Sequence, residues 1–332
     1  MGFPYRFSDD RDRNRSGAIW LLVMALLAGC QHAPPPAPAP TPAPSTKVVA
    51  PVLPVEAPKP PIPLGDVIIV AGQRFVTGTH VVTWLEKGAY RASPKTYDVR
   101  QWPAPPGDKE PRKAIPAGLA SLQSHVDQLV LHYDQAGLSR ICFDALEQRG
   151  LSIHFMIDVD GTIYQPIDLE ARAMHATTSN SRSIGIEIAN VGAFPPKETQ
   201  PLAKWYQADI PGKVRIKPPK EVKETRIHTP NFVARPARPA PVRGIVQGRM
   251  LTQYDYTPEQ YAALAKLTAT LCRVFPLIKC DYPRNAAGHL ITHKLPDAVL
   301  EKYQGILGHF HIQENKIDPG PAFDWEKIVG HP

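Results

Sequence analysis

The chain has 332 residues, 43% of them hydrophobic and 21% charged, enough for one sizeable globular domain with attachments or for two small ones. Past the first thirty residues no apolar run is long enough to span a bilayer. A formal net charge of +7 admits acidic polymers, acidic lipids or nucleic acid as partners, but no basic-aromatic cluster, zinc-finger spacing or P-loop occurs, so nucleic acid is not expected.

Residues 1–30 read as an export signal. Arg6, Arg11, Arg13 and Arg15 stand in a polar, net-basic start, and the apolar stretch 18–28 is too short for a membrane helix and right for a signal core. It ends in Leu27-Ala28-Gly29-Cys30, which resembles the bacterial lipobox; the competing reading is an ordinary signal peptide with a chance cysteine. The resemblance implies lipidation at Cys30, and several acyl chains there would anchor the protein to a membrane where one alone would not. Gln31, a residue other than Asp after the cysteine, implies the outer membrane of a Gram-negative cell, with the protein facing the periplasm. An exported chain can oxidise its cysteines. Cys272 and Cys280 flank a short segment and could pair, leaving Cys142 buried and free.

Residues 31–63 are dominated by Pro and Ala and should form an extended spacer. Over 64–116 a small β-rich segment is expected: Val67-Ile68-Ile69-Val70 and Val81-Val82-Thr83-Trp84 read as strands separated by Gly72 and Gly78, followed by a proline cluster over 103–116. The main domain is expected over 117–332. In it, Gln128-Leu129-Val130-Leu131-His132-Tyr133 has the pattern of a buried strand, and 139–148 reads as a helix stopped by Gly150. His154-Phe155-Met156-Ile157 and Thr162-Ile163-Tyr164-Gln165 flank Asp158-Val159-Asp160-Gly161 as a hairpin, and 184–188 is another apolar strand. Residues 194–243, proline-rich and basic without periodicity, are read as an insertion loop. Thr257-Pro258-Glu259-Gln260 has capping-box order with Pro at the first helical position, predicting a helix to about Phe275. Strands alternating with helices predict an α/β fold, a mixed central sheet flanked by helices with a small N-terminal β element.

His132 at a strand end, His309 after Gly308, and Asp318 opening Asp318-Pro319-Gly320-Pro321 offer two imidazoles and a carboxylate. Such a set suits zinc and leaves a fourth position for water. With twelve histidines in the chain, other sets compete. His311 stands two residues after His309. His289 and His293 are spaced i, i+4, but lack the glutamate that follows the first histidine in the metalloprotease motif.

Several segments occur in a telling order: Leu131-His132-Tyr133, Ser152-Ile153-His154-Phe155, Asp160-Gly161-Thr162-Ile163-Tyr164-Gln165, His175-Ala176, Ser183-Ile184-Gly185-Ile186-Glu187-Ile188, Gly308-His309, and Lys316-Ile317-Asp318-Pro319-Gly320-Pro321-Ala322-Phe323-Asp324-Trp325. The series resembles the type 2 N-acetylmuramoyl-L-alanine amidases, which share a fold with the peptidoglycan-recognition proteins. The resemblance runs from about Gln128 to Trp325, interrupted by the insertion. It implies zinc held by His132, His309 and Asp318, with His309 preferred to His311 because it completes the Gly-His pair. Glu187 falls on the family's acid/base glutamate and Lys316 on the lysine that assists it. His175 falls on a histidine of the substrate cleft and His154 on a position beside the active site; both are candidates for the substrate, with packing the alternative for His154. Where some members carry a tyrosine before the latter position, this chain has Ile153. The implied reaction is hydrolysis of the amide between N-acetylmuramic acid and L-alanine in peptidoglycan or muropeptides, by a monomer. Their carboxylates would suit a basic chain. The rival readings are a non-catalytic peptidoglycan-binding lipoprotein, which would lack part of the ligand set, and a structural tether, which leaves the histidines unexplained.

Overall fold

The computed structural model describes residues 64–100, 102 and 118–329; the signal segment, Cys30, the 31–63 spacer and the 103–116 proline cluster lie outside them. The described residues belong to one compact unit, 61–332. Its strands are β1 (Gly65–Val70), β2 (Gln73–Thr83), β3 (Tyr97–Val99), β4 (Gln128–Tyr133), β5 (Phe155–Ile157), β6 (Ile163–Gln165), β7 (Ala171–Ala173), β8 (Ser183–Ile188), β9 (Tyr206–Ile210), β10 (Lys213–Ile216), β11 (Val242–Val246), β12 (Arg249–Gln253) and β13 (Gly305–Gly308). The helices are α1 (Leu119–His125), α2 (Ser139–Arg149), α3 (Gln200–Trp205), α4 (Pro258–Val274) and α5 (Asp297–Leu300).

Seven strands form the central mixed sheet in the order β1-β2-β6-β5-β8-β4-β13. The pairs β13–β4, β4–β8, β8–β5 and β6–β2 are parallel, while β5–β6 and β1–β2 are antiparallel. β4 is flanked on both edges and buried along its whole length, which is why it reads as a nearly continuous apolar run. Side chains alternate across a strand. Leu129 and Leu131 of β4 and Ile184, Ile186 and Ile188 of β8 join the core cluster that contains Leu264, Leu267 and Leu271 of α4. His132 and Glu187 therefore emerge on the face opposite α4. The α4 helix begins as its sequence demands: Thr257 accepts from the Gln260 amide, Gln260 returns the bond, and Pro258 occupies the first turn. The β5–β6 turn is pressed against that helix start, so that a Cβ on Gly161, at φ +81°, would fall 2.7 Å from the Glu259 carbonyl oxygen.

The N-terminal β element does not stand apart. β2 pairs with β6 and so completes the central sheet, and Gly78 lies inside β2 rather than ending it. The segment also delivers Arg100, 2% exposed, into the interior. Its guanidinium donates to the carbonyls of Leu169, Ser181 and Ser183 at 2.9, 2.8 and 2.8 Å. Burial, then Arg172, pulls Arg100 down to about 9, so it stays charged at neutral pH. Arg100→Met strands those carbonyls and is expected to destabilise the protein by more than about 3 kcal/mol. Urea unfolding checks this; a change within about 1 kcal/mol would show the element to be an accessory.

The 194–243 insertion is not a bare loop. It folds into α3 and the β9–β10 hairpin, and leads into β11, which pairs with β12. Its strands are short and half-exposed, so alternation is weak in the sequence; Leu202 and Tyr206 carry its contact with Val191. Cys272 and Cys280 form a disulfide, and Cys142 is free and buried.

Candidate active site

Parallel pairing of β4 with its two neighbours assembles the site. His132 lies opposite Glu187 of β8, and Leu131 lies opposite Gly308 of β13, immediately before His309. Asp318 returns to the same point from the chain beyond. His132 Nδ1, His309 Nδ1 and Asp318 Oδ2 form a triangle with sides of 3.0, 2.9 and 3.0 Å, and all three residues are buried.

The outer nitrogens say what the inner ones are. Gln313 Oε1 accepts from His309 Nε2 at 2.6 Å, placing the proton there and leaving Nδ1 bare. His132 Nε2 lies 3.1 Å from His175 Nδ1, and His175 Nε2 lies 3.3 Å from Ser183 Oγ. A proton on each Nε2 satisfies that chain and leaves His132 Nδ1 bare as well. Burial, then His309, pulls His132 down to about 4, so it is neutral at ordinary pH. Two bare imidazole lone pairs and a carboxylate thus converge within one buried site. That arrangement suits a cation. Its sides are close to the roughly 3.3 Å separating ligands bonded at about 2.0–2.1 Å in a tetrahedron, so the residues fit zinc.

Glu187 is half-buried, and its Oε2 is a buried atom without a hydrogen-bond partner among the described residues. Burial, then Asp318 and Asp134, raises this carboxyl well above its ordinary value, and Lys316 opposes them. Burial also raises two carboxyls just past the neighbouring strands, Asp134 to about 7 and Asp158 to about 8. Lys316 is half-buried, and its charge acts on both Glu187 and His132.

The remaining histidines sort by their contacts. His175 is half-buried and backs His132. Gly185 makes room for it, since a Cβ there would fall 2.6 Å from His175 Nδ1 and 2.5 Å from Ile153 Cδ1. For His154 the expectation of substrate contact does not match its setting. It is 0% exposed, its Nδ1 accepts from the Gly185 amide at 3.0 Å and its Nε2 donates to the Ala171 carbonyl at 3.0 Å. His311 is likewise a packing residue, accepting from Gly308 N at 2.9 Å and donating to Ile291 O at 2.6 Å, so the triangle takes His309. His289 and His293 are exposed on an irregular segment, not on a helix, and lie outside the triangle. Sequence reasoning missed Gln313 and Ser183. Gln313 was detectable, since four residues after His309 is the reach of one helical turn. Ser183 reaches the site only through the fold.

The family model described as N-acetylmuramoyl-L-alanine amidase matches residues 122–321, more than half of the chain. No curated protein sequence matches it. Among solved structures, AmpD, as a selenomethionine derivative, is 19% identical, with 75% of this chain and 96% of that one covered at a TM-score of 0.34. The endolysin amidase LysCS from Clostridium intestinale URNW is 16% identical, with coverages of 62% and 83% and a TM-score of 0.32. AmiD from E. coli, in complex with the substrate anhydro-N-acetylmuramic acid-L-Ala-D-gamma-Glu-L-Lys, is 18% identical, with coverages of 61% and 56% and a TM-score of 0.33. The family match carries the assignment, and these distant likenesses add nothing to it.

Proposed function

Since the chain belongs to the N-acetylmuramoyl-L-alanine amidase family, we propose that it is a zinc hydrolase cleaving the amide between N-acetylmuramic acid and L-alanine in peptidoglycan or its muropeptides. The observation that carries this reading is the buried triangle of His132, His309 and Asp318, set beside the unpartnered Oε2 of Glu187. Zinc held by those three residues would supply Lewis acidity toward water and the amide carbonyl. Glu187 takes a proton from the attacking water and delivers it to the nitrogen as the carbon–nitrogen bond breaks, so that L-alanine leaves as a neutral amine. A carboxyl raised by burial is suited to hold that proton between the two transfers. The Lys316 ammonium stabilises negative charge developing on the amide oxygen. His175 and Ser183 fix the ring of His132 from behind, while His154 and Arg100 hold the start of β8.

The test is digestion of a defined muropeptide by zinc-replete protein, with products identified by mass. A free peptide beginning with L-alanine is expected; an intact muropeptide that stays bound would make the protein a binding module. We further propose that Cys30 is lipidated and holds the enzyme on the periplasmic side of an outer membrane, on the evidence of Leu27-Ala28-Gly29-Cys30. Cys30→Ser should then move the processed protein from the membrane to the soluble fraction, and continued membrane association after signal removal would refute the anchor.

A further inference from the structure

The segment bearing His309, Lys316 and Asp318 contributes no strand to the sheet beyond Gly308, only short turns. Its turns satisfy some of its carbonyls internally, as Lys316 N does for Gln313 O, but leave others to partners from elsewhere, and its ligands need something to hold them in place. The β11–β12 hairpin meets both needs. At its tip, Gln247 and Gly248 have φ of 52° and 69°, as a two-residue turn of this hand requires. Gln247 N donates to Thr292 O at 2.8 Å. Its side-chain amide donates to the carbonyls of Phe310, Gln313 and Lys316 at 2.8, 3.0 and 3.3 Å, and its Oε1 accepts from Lys294 N at 3.2 Å.

The other end of the hairpin grips the far side of the same segment. Gln253, 0% exposed, donates from Nε2 to Pro319 O at 3.0 Å and accepts at Oε1 from Ala322 N at 2.9 Å. Gly244 and Gly320 permit the approach. A Cβ on Gly244 would fall 2.7 Å from Pro321 Cβ, and one on Gly320 would fall 2.2 Å from Gln253 Oε1.

We propose that Gln247 and Gln253 are positioning residues, a two-point brace through which the hairpin holds the 309–318 segment in the geometry its ligands need. The brace holds the segment that carries two of the three donors in place before any cation arrives. Its effect on metal affinity rests on the zinc reading above; the ordering of the segment does not.

Gln247→Met keeps length and shape and removes every side-chain hydrogen bond. Its backbone strain at positive φ is that of the parent, since neither residue is β-branched. In metal-free protein, amides of 309–318 should then exchange with solvent about tenfold faster or more, with β4 and β8 amides unchanged. Zinc affinity should fall roughly 10–100-fold, the usual effect of losing an outer contact. Gln247→Lys, which keeps N–H donors on a long stem, should restore most of both, as a merely volume-filling role would not require. Gln253→Met should act in the same direction; if it fails to fold, the half-buried Gln247 decides alone. Parental exchange in Gln247→Met, or parental zinc affinity where the parent binds zinc, overturns the brace. Should the parent bind no zinc, the proposed function falls and the exchange rates still decide the brace.

Discussion

His132→Ala protein is expected to fold and to purify without zinc, and to hydrolyse no muropeptide. His132 supplies one of three donors in the triangle, and a site with two remaining ligands loses the closed set that makes zinc retention strong. The loss should exceed that from His175→Ala, since His175 touches only the outer nitrogen of His132, where a lost contact costs roughly 10–100-fold in affinity. Metal analysis after dialysis against a weak chelator separates the two, and circular dichroism checks that both are folded. One zinc per chain retained by His132→Ala would remove this residue from the ligand set.

Glu187→Gln, loaded with zinc, is expected to turn over muropeptide about 10²–10⁴-fold more slowly, the usual worth of a positioned proton carrier. The substitution keeps shape and burial and takes away only the ability to accept and return a proton. Its zinc content should match the parent, because its Oε2 faces no partner. Lys316→Ala should cost roughly 10²–10³-fold if its ammonium acts as a single oxyanion donor. Substrate affinity should change less than turnover in both, since these contacts strengthen as charge develops in the transition state. Near-parental turnover by zinc-replete Glu187→Gln would leave water activation to the metal alone.

Local signals were strong where a short stretch has only one good way to fold. β4 was legible residue for residue, because a strand flanked on both edges must be apolar on both faces. The start of α4 was legible because Thr257, Pro258 and Gln260 satisfy its first amides among themselves. His132, Glu187, His309, Lys316 and Asp318 were named through ordered short motifs, and the fold draws His132, His309 and Asp318 together from three segments into a cluster that could hold a metal ion.

Other features have no local signature. His154 and His311 look like site residues in the sequence, and only the Gly185, Ala171, Gly308 and Ile291 backbone groups around them show that they pack. The N-terminal β element could have been a separate subdomain; its pairing with β6 and the burial of Arg100 are contacts across scores of residues that no spacing rule encodes. The insertion hid its hairpins because short, half-exposed strands need little alternation. Sequence by itself determined the strongly patterned elements such as β4 and α4, the motif order and the chemistry of the donors, since these depend on neighbours along the chain. Which histidines meet in the buried triangle and which ones pack were decided by tertiary structure, because a side chain's surroundings are set by the polar groups it meets, and those come from distant strands.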